Sequence, residues 1–180
     1  MIFRELPVAG AWLVTPEPTH DERGLFARLW DGAEFEARGL GPAPAQLNTG
    51  WSPGRGTLRG LHWQSAEAPE AKLVRVVRGA AFDVVVDLRP GSATFRRWHG
   101  VELTAENRAA LWVPPLCAHG YLTLADDTEL QYWATAPFDS AAARGARWDD
   151  PALAITWPAA VTVISERDRS WPLLGREVRA

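Results

Sequence analysis

Between Lys72 and Ser92 the chain reads KLVRVVRGAAFDVVVDLRPGS. Valine dominates this stretch, and a β-branched side chain is stiff at χ1, which disfavours a helix and suits a pleated strand. The pattern predicts two strands folded near Arg78-Gly79 and closed by a turn at Pro90-Gly91. Within FDVVVDLR a period of two puts Asp83, Val85 and Asp87 on one face and Phe82, Val84, Val86 and Leu88 on the other.

Comparable runs occupy most of the first three-quarters of the chain. GAWLVTPE (Gly10 to Glu17) and GLFARLW (Gly24 to Trp30) read as strands with THDERG as the turn between them. AEFEARGLG (Ala33 to Gly41) reads as a short helix stopped by glycines, and a strand is expected around Gln46 and Asn48. TLRGLHWQ, TFRRWHGVEL, AALWVP, CAHGYLTLA and TELQYWAT continue the series, with a turn at LTAENR. Beyond about residue 136 the pattern weakens; SAAARGARW reads as helical and WDDPALAITWP as loop. Many short strands at close spacing argue for one all-β domain over residues 1–180, a sandwich or barrel with a few short helices, mainly toward the C-terminus.

Composition excludes several functions. A formal net charge of −3 gives no basic footprint for nucleic acid. Cys117 is the sole cysteine, which rules out an internal disulfide or a Cys-based zinc site and fits a reducing cytoplasm. The N-terminus carries Arg4, Glu5 and Pro7 where a signal peptide needs an apolar core, and no uncharged run has the length of a membrane span. Among 19 basic residues only Lys72 is a lysine, the cation suited to sit beside a developing oxyanion.

TLRGLHWQ poses the chemical question, because a strand has little use for Gly60, and a buried surface little use for Arg59 or His62 without partners. A metal-binding jelly roll would usually offer two histidines separated by one residue, but Gln64 stands two positions after His62. His20, His62, His99 and His119 are dispersed, so no metal site is expected. Taken alone, His62 reads as a core histidine with a satisfied hydrogen bond; the other reading is a general base, which needs an orienting carboxylate, and DDP, ADDT and SERD all offer one with none preferred by periodicity. Arg23, Arg59, Lys72 and His119 together could line a pocket for a phosphate-bearing substrate.

Taken in order, DERGLF, QLN, GTLRGLHWQ, AKLVRVVRGAAFDVVVDLRPGSATFRRW, LTAENRAALWVP, AHGYLTLAD, YWAT, WDDPALAITWP and ISERD resemble the dTDP-4-dehydrorhamnose 3,5-epimerase family over nearly the whole chain. The resemblance implies a cupin-type jelly-roll β-sandwich, a homodimer with exchanged strands, and an isomerase that needs neither metal nor cofactor. Its substrate would be a dTDP-4-keto-6-deoxyhexose, epimerised at carbon 3, carbon 5 or both through an enolate. By motif match His62 would be the base, Asp168 its orienting partner, Tyr132 the acid across the ring and Lys72 the stabiliser of the enolate oxygen. Arg59, Gln46 and Asn48 would line the sugar pocket, and Arg23, Phe26 and His119 would hold the nucleotide, partly across the dimer.

Three positions at the expected pocket rim depart from the family's usual residues, and PPLCAHG departs from its usual P-E-G-x-A-H-G while keeping His119-Gly120. Arg28 stands where Glu is common, Phe138 replaces a Tyr that would contribute to substrate binding, and Ala143 lies near a usual Glu. Lost hydrogen-bond partners at a pocket rim change selectivity by large factors, so epimerisation at a single carbon is one expectation. Two other classes stay open: a non-catalytic sugar-nucleotide binder, and a metal-dependent cupin oxygenase with three or more converging ligands.

Overall fold

The computed structural model describes residues 1–175. One sheet has the order β1 (Ile2–Glu5), β2 (Trp12–Thr15), β10 (Ala110–Val113), β7 (Lys72–Arg78), β12 (Thr128–Ala134) and β5 (Gln46–Ser52). The facing sheet has the order β13 (Ala143–Gly145), β6 (Thr57–Gln64), β11 (Cys117–Thr123), β8 (Ala80–Asp87) and β9 (Trp98–Thr104); β14 (Val163–Ile164) runs parallel to β6. The two sheets form a jelly-roll sandwich. Val74, Val76, Leu111 and Leu130 from the first meet Ala81, Val85, Val101 and Leu103 from the second.

Both outer faces are also covered in part. Leu61, Trp63, Val84, Val86 and Leu88 pack under Ala146, Leu153 and Trp157 of the C-terminal segment. Val14, Leu73 and Trp112 pack under Phe35 of α1 (Gly32–Glu36), whose N-cap Asp31 accepts from the amides of Ala33 and Glu34. Strand β8 is therefore buried on its two faces, which accounts for its unbroken valines.

Several sequence expectations need correction. The chain turns at Gly79, but β7 and β8 do not pair; they lie in opposite sheets, so Gly79 is a crossing between layers. Within THDERG, Thr19–Asp21 forms β3 and pairs with β4 (Gly24–Phe26), and the strand expected to reach Trp30 ends at Phe26. SAAARGARW forms no helix and instead supplies β13, which covers an edge of β6. Of the two helices among the described residues, α1 lies early in the chain and only α2 (Glu166–Arg169) lies toward the C-terminus. Among the described residues no helix is long and apolar enough to cross a membrane.

Candidate active site

The site is organised by an irregularity in β6. His119 of β11 pairs with His62 and Tyr121 pairs with Arg59, so β6 spends one extra residue between the two pairs. Gly60 sits in this bulge at φ +123°, and a Cβ there would lie 2.5 Å from Gly120 Cα and 2.8 Å from His119 O. Only glycine suits both the dihedral and the close backbone approach. The bulge turns Arg59 and His62 to the same face, while Leu61 between them joins the apolar layer on the other side.

The free edge of β6 brings in the carboxylate. β13 covers Gln64 to His62, β14 covers Thr57 and Leu58, and the Gly60 amide between them is left for a side chain. From β14 the chain passes through Ser165, which caps α2 and accepts from the Asp168 amide at 3.0 Å. Asp168 thereby reaches both targets: Oδ2 accepts from Gly60 N at 3.2 Å, and Oδ1 lies 2.6 Å from His62 Nε2. Burial works against the Asp168 charge, but the hydrogen bond and charge of His62 and the Gly60 amide outweigh it, so the carboxyl lies below its ordinary value. A carboxylate only accepts, so the His62 proton sits on Nε2; Nδ1 makes no hydrogen bond among the described residues and is the nitrogen able to take a proton. Trp171 leans edge-on against the His62 ring at 6.5 Å, in space that a side chain at Gly145 would fill.

His62 opens onto a cavity of about 560 Å³ lined by strands of both sheets. Arg59 and His62 reach it from β6, Lys72 from β7, His119 and Tyr121 from β11, and Tyr132 from β12. Arg59 is held from behind by Trp51 O at 3.0 Å and Ser52 Oγ at 3.4 Å. His119 Nε2 lies 2.8 Å from Asp83 Oδ1, and burial raises the Asp83 carboxyl despite the opposing effect of His119. Burial and the charge of Glu70 raise the Tyr132 phenol, with Arg59 opposing them.

The expected catalytic set, His62, Asp168, Tyr132 and Lys72, is therefore brought together, and Arg59 and His119 join it. Other expected binding residues stand apart. Asn48 lies opposite Tyr132 on β5, and Gln46 Oε1 accepts from the exposed Phe138 amide at 2.9 Å, outside the cavity lining. Arg23 and Phe26 lie on the β3–β4 hairpin, which bounds a separate hollow; Arg23 is ion-paired with Asp21, and Phe26 is 73% exposed. Arg28 pairs with Asp31 at 2.9 Å. Sequence reasoning missed Glu70, Tyr121, Arg167 and Trp171 as neighbours of the site. Of these only Tyr121 carried a signal, being one of two tyrosines and next but one to His119.

Among the described residues no cluster of three His, Cys, Asp or Glu side chains could hold a metal ion. The fold and these side chains define a jelly-roll protein that gathers a His–Asp pair, a lysine and a tyrosine around one cavity. The profile of the dTDP-4-dehydrorhamnose 3,5-epimerase family matches residues 5–176, and the chain belongs to that family. It is 43% identical to the dTDP-4-dehydrorhamnose 3,5-epimerase of Sinorhizobium fredii over 97% of this chain and 90% of that one. It is 39% identical to the dTDP-4-dehydrorhamnose 3-epimerase of Streptomyces niveus, over 97% of this chain and 84% of that one. The crystal structure of the Bacillus anthracis 3,5-epimerase with TDP and PPi bound superposes with a TM-score of 0.92 at 36% identity, covering 96% of this chain and 99% of that one.

Proposed function

We propose that the chain is a cofactor-independent epimerase that inverts carbon 3, carbon 5 or both of a dTDP-4-keto-6-deoxyhexose. One observation carries the reading: a His62–Asp168 pair that shares a cavity with a cation, Lys72, and a protonated phenol, Tyr132. The 4-keto group acidifies the hydrogens on both neighbouring carbons. His62 Nδ1 removes one, and Asp168 stabilises the imidazolium that forms. Lys72 meets the charge growing on the enolate oxygen, where electrostatic stabilisation acts only along the reaction path. Tyr132 then returns a proton from the opposite face of the ring.

Arg23 and Phe26 support a nucleotide site completed by a second copy of the chain. They lie on a projecting hairpin outside the cavity of their own subunit, with Phe26 largely uncovered, and a homodimer with exchanged strands would bring them to the partner's cavity. The enzyme is assigned to the cytoplasm, where its nucleotide-sugar substrate would be made.

Incubation with the keto sugar in deuterated water, followed by NMR, tests the reading. Deuterium at carbons 3 and 5 with inversion is the expected result. Binding of dTDP without any exchange would overturn it in favour of a non-catalytic binder. Exchange at one carbon alone is a second reading within the class, favoured by the similarity to the S. niveus 3-epimerase and by the departures at Arg28, Phe138 and Ala143 from the residues usual in the family.

A further inference from the structure

Glu70 takes no part in the proton transfers described above, yet it is ion-paired with Lys72, the only lysine of the chain. Both side chains are almost removed from water, Lys72 at 12% exposure and Glu70 at 8%. The backbone between them is pinned: Ala71 donates to Thr135 Oγ1 at 2.8 Å, and Thr135 N donates to Ala71 O at 3.0 Å. Residues two apart on an extended segment project to the same side, so the two charges are directed at each other before any substrate arrives. Lys72 lines the cavity and Glu70 does not.

Such a pair is a poor source of stability, because desolvating two charges offsets most of their attraction. What it does provide is position. A lysine ammonium is a point charge on a flexible four-carbon stem, and an unpartnered one would sample many places in a cavity of this size.

We propose that Glu70 is a positioning residue that fixes the Lys72 ammonium beside Tyr132, where the charge of the reaction develops. A second effect follows from the same carboxylate. Burial and the Glu70 charge both oppose ionisation of Tyr132, whereas Arg59 on β6 favours it. Lys72 on β7 and the second phenol, Tyr121 on β11, also face this part of the cavity, and the residue opposite Tyr132 on β5 is the uncharged Asn48. Burial is the larger cause that holds Tyr132 protonated, and the Glu70 carboxylate adds to it against the nearby cations.

The kinetic part of this proposal rests on the epimerase reading, so its test includes readouts that need no turnover. Glu70→Gln keeps the shape and removes the charge; Glu70→Asp keeps the charge and withdraws it by one methylene. In Glu70→Gln, kcat is expected to fall about tenfold or more with KM changed less than about twofold, and the alkaline limb of the kcat profile to move to lower pH. Glu70→Asp is expected to lose kcat while keeping the limb in place. In protein labelled with 15N-lysine, the single paired ammonium should give a slowly exchanging signal that Glu70→Gln loses. The phenolate absorbance of Tyr132, isolated by difference from Tyr132→Phe, should rise at lower pH in Glu70→Gln. A Glu70→Gln enzyme with wild-type kcat, an unmoved alkaline limb and an intact ammonium signal would overturn the proposal. If the wild type itself exchanges no deuterium, the epimerase reading falls, and the ammonium and phenolate readouts still decide whether Glu70 fixes Lys72.

Discussion

Asp168 and His62, 106 positions apart in the chain, meet at 2.6 Å, and the same carboxylate holds the Gly60 amide that bends the strand carrying His62. One side chain therefore orients the base and anchors the bulge that aims it. His62→Ala is expected to abolish deuterium exchange into the keto sugar while leaving circular dichroism and dTDP binding largely intact. Asp168→Asn keeps the shape but loses the charge opposite the imidazolium, and kcat should fall by about a hundredfold or more. Unchanged exchange in His62→Ala would remove it as the base.

Gly60→Ala tests the bulge. The new methyl would stand 2.5 Å from Gly120 Cα at a dihedral that side chains rarely adopt, so the β6–β11 pairing must give way. The expected loss is more than about 2 kcal/mol, from backbone strain and overpacking together. Thermal or urea unfolding measures it, and a variant as stable as the wild type would contradict the geometry.

TLRGLHWQ shows how far the sequence could be read. Strict alternation sends Arg59 and His62 to opposite faces; the family resemblance, which puts both in one pocket, therefore implies a bulge or kink near Gly60, and the bulge lies there. The extent of β6, Thr57 to Gln64, coincides with that motif because turns bound it on both sides. Local pattern could not say that β7 and β8 belong to different sheets, since a valine-rich strand reads alike whichever neighbour it pairs with. It also could not choose among the acidic candidates, because Asp168 reaches His62 only through the parallel pairing of β14 with β6 and the cap at Ser165. SAAARGARW misled for the opposite reason: its alanines favour a helix, but the exposed edge of β6 captures it as a strand.

Asp87 makes the fold sensitive to acid. Burial works against its charge, but hydrogen bonds from Arg89, Ser92 and Thr94 overcome that and hold the carboxyl well below the usual carboxylate range. A folded-state pKa below the unfolded one contributes stability above about pH 4, and that contribution is lost as pH falls further. Asp87→Asn should cost about 3 kcal/mol at neutral pH and flatten the acid limb of stability against pH. Unfolding curves between pH 2 and pH 7 would check both expectations.

Cys117 lies beside this network, and burial pushes its thiol up to about 12, so almost no thiolate exists at neutral pH. The native protein should leave Ellman's reagent unreacted, whereas the unfolded chain should release one equivalent. Rapid native reaction would mean that the start of β11 opens far more readily than its burial indicates.

Tyr132→Phe separates deprotonation from inversion. The phenol is raised by burial and by Glu70, so it stays protonated to higher pH than an ordinary tyrosine, and any alkaline limb due to it lies above that of an ordinary tyrosine. Phenylalanine fills the same space without a proton to give. His62 can still remove a hydrogen and return solvent deuterium to the face it came from, so wash-in should persist while inversion slows by about a hundredfold or more. Comparing deuterium content with product stereochemistry by NMR resolves the two steps. Equal losses of exchange and inversion would place Tyr132 in the deprotonation itself, and undiminished inversion would assign the returning proton to another donor in the cavity.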